Sequence, residues 1–237
     1  MKLLPTTTSN DEGRRTAPVA VLPIGSFEQH GDYLPLATDT VIACAIAERL
    51  AATYDLLLLP PVTISCSHEH SAWPGTVSIR HTTLTAIVTD VLASLRRSGI
   101  SRLALVNGHG GNYVLSNVVQ EANVTEPVMT LFPARDDWTS ARKAAGLTSD
   151  DHADMHAGEL EVSVLRYVAP ELIREGVATS DHLADDRRLL LVRGMAGYTQ
   201  TGVIGVPSAG SADKGRLVLD SLVGAFKEHL DALTVSR

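Results

Sequence analysis

The sequence predicts an α/β fold, with a mostly parallel sheet covered by helices on both faces. Short apolar, valine- and leucine-rich runs alternate with longer segments of helical spacing, which is the pattern of right-handed βαβ units. The 237 residues suit one domain, because doubly wound sheets reach this length as single units. A chain of this size buries roughly 70–75% of its unfolded surface. Hydrophobic residues make up 44% and charged residues 20%, which excludes a wholly disordered chain.

The elements follow in order. Residues 1–17 (MKLLPTTTSNDEGRRTA) contain no hydrophobic signal region and read as a polar tail, leaving 18–237 as a single domain. Residues 18–24 (PVAVLPI) form a buried-strand candidate that stops at Gly25 and Ser26, and a polar loop runs on to Asp39. From Thr40 the segment TVIACAIAERLAATY is alanine-rich and helical, with Thr38 or Asp39 as its cap. Residues 56–64 (LLLLPPVTI) are the next strand candidate, and 82–97 form a helix closed by Gly99. A third strand, 102–106 (RLALV), runs into NGHGGN and a helix over 113–123, and a fourth covers 128–132. The polar stretch 134–154 reads as a surface excursion or a lid. A helix over 157–168 ends before Pro170. A glycine-rich loop, 194–215, leads into a final amphipathic helix over 216–233.

Several function classes drop out. The net charge of −7 argues against gripping nucleic acid phosphates. No apolar run approaches the ~20 residues of a membrane span, and 56–64 carries two prolines. A cytoplasmic location is the expectation. Cys44 and Cys66 make neither a disulfide framework nor a cysteine zinc site, and both lie in apolar stretches as buried thiols do. There is no G-x-S-x-G elbow, P-loop or dinucleotide fingerprint.

Chemistry concentrates in a few histidine motifs. In EQHGDYLPLATD, Glu28 and His30 are two apart and project to one face of an extended segment. With Asp39 they make a carboxylate–imidazole–carboxylate set suited to zinc, manganese or iron. A polar turn with Asp39 as helix cap fits equally. In NGHGGN, glycines bare the backbone around His109 at a strand end, where N–H groups could hold an anion or a developing oxyanion. A tight turn with an incidental histidine is the alternative. In DMHAGELEVS, Glu159 follows His156 by three residues and on a helix shares its face, whereas Glu161 points elsewhere. Both glutamates also suit an ordinary helix start. SHEH is not the zincin motif; His70, with Trp73 of WPGT as an aromatic wall, lines a pocket or stands in solvent. A hydrolase working through metal-activated water uses these motifs together.

In this order, GSFEQHGDYLPLATD, SHEHSAWPGTVS, LVNGHGGN, HAGELEVS and VIGVPSAGSADKGR resemble the creatininase (creatinine amidohydrolase) family over nearly the whole chain. The resemblance implies a three-layer α/β/α sandwich, a homohexamer and two divalent metal ions (zinc, manganese or iron) per subunit. It puts Glu28, His30, Asp39 and His109 at metal-ligand positions, with Asp39 bridging. Creatininase draws its remaining ligand from a glutamate two residues after the NGH histidine, where this chain has Gly111. Members with NGHGGN use the glutamate of HAGE, which is Glu159 here. His156 then falls at a proton-transfer or substrate-binding position and Glu161 near the substrate.

Gly110 and Gly111 leave more room than creatinine needs, so the expected substrate is a small molecule or short peptide with an amide C–N bond other than an ordinary peptide bond. The family also includes the mycofactocin precursor peptidase, metal-dependent hydrolases of formamidopyrimidine compounds and, as a further reading, an amide-forming homologue. Outside enzymes, a retired binding protein would have no chemical reason to keep all five ligand types. Neither nucleic acid nor membrane is an expected partner. The glycine-rich loop and the apolar residues of WPGT add to the case for an oligomer.

Overall fold

The computed structural model describes residues 4–234. Its sheet has four strands, β1 (Ala20–Ile24), β2 (Leu57–Leu58), β3 (Leu103–Asn107) and β4 (Met129–Phe132). They lie in the order β2–β1–β3–β4, all parallel. The β1–β3 register pairs Ala20 with Leu103 and Ile24 with Asn107, so these two strands end level with each other.

Alternation along the strands builds two cores. Val19, Val21, Ala104, Val106 and Phe132 face one of them. There they meet α2 (Thr38–Tyr54), α5 (Arg135–Ala144), α6 (Glu159–Val168) and α8 (Ala212–Thr234). Ala20, Leu22, Ile24, Leu103 and Leu105 face the other, under α3 (His81–Arg97) and α4 (Val114–Ala122). The result is a three-layer α/β/α sandwich. α3 shows the stripe of a surface helix, with Leu84, Val88, Leu92 and Leu95 buried. The first ten residues of α2 are all buried, because it lies between the sheet and both α6 and α8. Its alanines keep that sandwich thin.

Several expectations need correction. The strand expected over 56–64 pairs only at Leu57–Leu58, with one isolated bridge from Ile24 to Val62. Pro60 and Pro61 have no N–H to give, so the ladder breaks. Pro23 sits inside a central strand without cost: Val19, Val21 and Pro23 accept from Leu57, Leu59 and Val62. The donor Pro23 lacks would therefore point to the β2 side, where the partner chain is interrupted. The polar N-terminal segment contains a helix, α1 (Ser9–Arg15), with a Thr8–Asp11 capping box and no buried residue. Residues 1–3 of that segment lie outside the described residues.

The stretch 134–154 is not a lid, since α5 packs on α8 and contributes Ala141 and Trp138 to the core. α8 begins at Ala212, four residues earlier than expected, and α6 begins at Glu159 rather than at 157. The remaining helix, α7 (Leu190–Arg193), is a single exposed turn. Among the described residues no helix is long and apolar enough to cross a membrane.

Candidate metal centre

The carboxyl ends of parallel strands are where open α/β sheets place ligands, and the polar residues of this chain gather there. The loop after β1 brings Glu28 and His30, and Glu28 N–H is pinned to the Leu36 carbonyl (3.0 Å). Asp39 stands in the first turn of α2 and makes no cap bond. Glycines let that turn come close. A Cβ on Gly25 would lie 2.4 Å from the Thr40 backbone, and one on Gly108 would lie 2.4 Å from the Asp39 carbonyl oxygen. His109 follows β3 in a loop stapled by its own asparagines. Asn107 donates to the His109 carbonyl (2.8 Å) and accepts from Asn112 (2.9 Å), which in turn accepts from Cys66 N–H (3.1 Å).

Each histidine is aimed by a bond on its far side. His30 Nδ1 donates to the Glu28 carbonyl (3.0 Å), so Nε2 faces Asp39 Oδ1 (3.0 Å) and Glu161 Oε2 (3.9 Å). His109 Nε2 donates to the Cys66 carbonyl (2.9 Å), so Nδ1 faces Asp39 Oδ2 (3.0 Å) and Glu28 Oε1 (3.2 Å). His156 Nε2 donates to the Gln29 carbonyl (2.7 Å), leaving Nδ1 at 3.8 Å from Glu28 Oε1. Ser26 Oγ donates to Asp39 Oδ2 (2.7 Å) and holds that carboxylate in place.

Two ligand sets meet at Asp39: Glu28, Asp39 and His109, and His30, Asp39 and Glu161. Within each set one ligand atom per residue lies within 4.8 Å of the others; Glu28, His30 and His156 form a third such group. The donors fit a cation. Both carboxylate oxygens of Glu28 are buried without a hydrogen-bond partner, which is costly for a charge unless something positive faces it. All donors are nitrogen or oxygen, as zinc, manganese and iron accept.

The carboxylates and imidazoles of the cluster shift one another's titration. Burial alone would lower His30, but the Asp39, Glu161 and Glu28 carboxylates overcome it and raise it to about 9. His109 is likewise pulled down by burial and pushed well above its usual value by Glu28, Asp39 and Glu69. Burial raises Asp39, yet His30 and His109 hold it well below the carboxylate range. Burial pushes Glu161 up to about 7, with His30 working against it. His156 is driven well below its usual value by burial and then by His30 and His70, so it is neutral.

The structure separates the two glutamates of HAGELE in the sense opposite to the sequence expectation. Glu159 lies away from the histidines. Its carboxylate accepts from the N–H of Thr148 (3.0 Å) and Ser149 (2.9 Å), from Ser149 Oγ (2.6 Å) and from Lys214 Nζ (2.6 Å). Glu161 is the one that reaches His30 and Asp39. The helical spacing from His156 fails because His156 is not on the helix. It forms an isolated bridge with Ile204, Ala157 is left-handed (φ 55°), and α6 starts only at Glu159.

Two further placements differ from expectation. His70 is buried rather than pocket-lining; its Nδ1 accepts from Gln29 (2.9 Å) and its Nε2 lies 3.2 Å from Glu28 Oε1, behind that carboxylate. Trp73 is half-buried and lines neither cavity beside the cluster. Gly110 lines one of these, of about 730 Å³, together with Trp138, Met155 and Glu161. Gly111 lines the other, of about 530 Å³, with Glu69, Arg80 and Leu191. Tyr113 borders both. Sequence reasoning passed over Ser26, Gln29 and Glu69, although the first two lie inside GSFEQHGDYLPLATD and the last inside SHEH.

Comparisons with known proteins show the family and the fold. Residues 5–230 match the family model described as creatinine amidohydrolase. The mycofactocin precursor peptide peptidase of Mycolicibacterium smegmatis is 31% identical over 234 residues, covering 94% of this chain and 89% of that protein. A mutant creatininase of Zn–Zn type superposes with a TM-score of 0.81 at 21% identity, covering 98% of each chain. A creatininase structure named for Mn does so at 0.80 and 22%, covering 95% of this chain and 96% of that one. At such identities the solved structures speak for the fold; the match over nearly the whole length speaks for the family. The chain belongs to the creatininase (creatinine amidohydrolase) family.

Proposed function

We propose that this chain is a metal-dependent amidohydrolase that cleaves an amide C–N bond in a short peptidic or otherwise non-standard substrate. The observation that carries the reading is Asp39, which turns one oxygen toward His30 and the other toward His109. Glu28 and His109 complete one ligand set, His30 and Glu161 the other. When bound, a pair of divalent ions supplies a water nucleophile at neutral pH and polarises the carbonyl.

The chain's own residues do the rest. Nδ1–H of His30 and Nε2–H of His109 are tied to backbone carbonyls, so the free nitrogens need no reorientation to act as ligands. His156 is neutral with its Nδ1 lone pair turned toward Glu28. It is placed to take a proton and return it to the leaving nitrogen. The cavity beside Gly110, about 730 Å³, and the second one beyond Gly111 favour a substrate longer than creatinine. The near-full-length likeness to a precursor peptide peptidase points the same way.

The test is to strip the protein with a chelator and follow the ring opening of creatinine to creatine and amine release from a panel of short peptidic amides. Chelation should abolish turnover, and zinc, manganese or iron should restore it. Full activity in a metal-free sample would overturn the mechanism. Creatinine turned over faster than every peptidic amide would overturn the substrate class.

A further inference from the structure

Glu69 is not among the six residues of the two ligand sets or their proton carrier, yet it lies against one of them. The 3₁₀ turn His68–His70 points its three side chains differently: His68 outward, His70 inward behind Glu28, and Glu69 sideways across the NGHGGN loop. Its Oε1 is 3.5 Å from His109 Nε2, with 15% of the side chain exposed.

The space Glu69 fills belongs geometrically to residue 111. A Cβ on Gly111 would stand 2.0 Å from Glu69 Oε1, 2.4 Å from His109 Nε2 and 2.9 Å from the Cys66 carbonyl oxygen. Gly111 is not in the left-handed region, so its backbone alone would accept another residue. The glycine is required for room, and what takes up the room is a carboxylate beside an imidazole. Gly194, which is left-handed (φ 62°), closes the other side, where a Cβ would lie 3.0 Å from the Glu69 carbonyl oxygen.

We propose that Glu69 is a positioning residue for His109: seated over the bare Cα of Gly111, its carboxylate pairs with the Nε2 side of the ring and fixes Nδ1 on Glu28 and Asp39. The Cys66 carbonyl takes the Nε2–H bond; Glu69 adds the negative charge that a neutral carbonyl cannot. Carboxylates placed behind a ligating imidazole orient it and raise its basicity. The proposal rests on the metal reading above. It assigns Glu69 to one ligand set alone, since His30 is held instead by the Glu28 carbonyl.

The experiment titrates chelator-stripped protein with Zn²⁺ against a chromophoric competitor, for wild type, Glu69→Gln and Glu69→Ala. Thermal unfolding of each metal-free protein is recorded alongside. Both variants should weaken one of the two sites by roughly 10–100-fold and leave the other at its wild-type affinity, with Glu69→Gln unfolding at the wild-type temperature. Unchanged affinities at both sites would overturn the proposal. So would equal weakening of both sites with a lowered unfolding temperature, which marks a general structural role. Lost turnover with both affinities intact would overturn it too, because Glu69 would then act on substrate. A wild-type protein that takes up no Zn²⁺ would overturn the metal reading itself, and this proposal with it.

Discussion

Glu159→Gln and Glu161→Gln, two residues apart at the start of α6, should fail in different ways. Glu159 is fully buried and its partner Lys214 is 22% exposed on its side chain. Removing one charge of a buried pair costs about 3–5 kcal/mol. Lys214 can recover part of its hydration, so about 2–4 kcal/mol is expected here. For a chain of this size that lowers Tm by roughly 5–15 °C. Burial works against the Glu159 carboxylate, but Lys214, Ser149 and Thr148 hold its pKa down at about 2, against 4.5 ordinarily. A depressed carboxylate contributes fully above its unfolded pKa and loses that contribution as pH falls toward the folded one. The Tm gap between wild type and Glu159→Gln should therefore be widest above pH 4.5 and close toward pH 2. Metal content of Glu159→Gln, measured at a temperature where it is folded, should equal wild type. Glu161→Gln keeps an oxygen for the Ala157 N–H (2.6 Å) and so should keep its Tm when metal-free, yet lose close to one metal per subunit. Two metals retained in Glu161→Gln, or one lost from folded Glu159→Gln, would refute the assignment.

Other outcomes follow from the same geometry. His156→Asn should lower kcat by roughly 10²–10⁴-fold with both metals in place; loss of a metal would instead make His156 a ligand of the third group. Metal affinity should rise with pH between 6 and 9, because His30, raised to about 9, must give up its proton before binding. A competition titration with no pH dependence over that range would contradict the sign. Leu191 and Val192 are about four-fifths exposed on α7, and light scattering should find an oligomer, with a hexamer the expectation. A monomer at micromolar concentration would show that this surface is left to solvent.

The sheet and the loops that converge on it could be read from local pattern, because strand runs and glycine punctuation are short-range signals. Glu28, His30, Asp39 and His109 come together as their motifs suggested, since each sits within a few residues of a strand end or helix start. Glu161 rather than Glu159 stands beside His30 and Asp39, because helical periodicity does not extend back through Ala157 and Gly158 to His156. Thr38 and Asp39 were candidates for a cap that the helix does not use, because Asp39 is taken by His30 and His109. Glu69 was out of reach for a different reason. Nothing local ties residue 69 to residue 109; the two meet only because the turn after β2 and the loop after β3 open at the same carboxyl-terminal end of the sheet.

The prolines that shorten β2 also bear on how copies of this protein meet. β2 is an edge strand, and an edge invites another chain to add to it. Here that edge offers Leu57 and Leu58 before the interruption at Pro60 and Pro61, a template too brief to seed an intermolecular sheet. The opposite edge, β4, lies against α8 and α4. Leucine runs such as 56–59 are the kind of segment that aggregates when a ladder can extend. Substituting both prolines with valine would lengthen the strand and expose that hazard, and the first sign would be turbidity on concentration rather than any change at the metal centre.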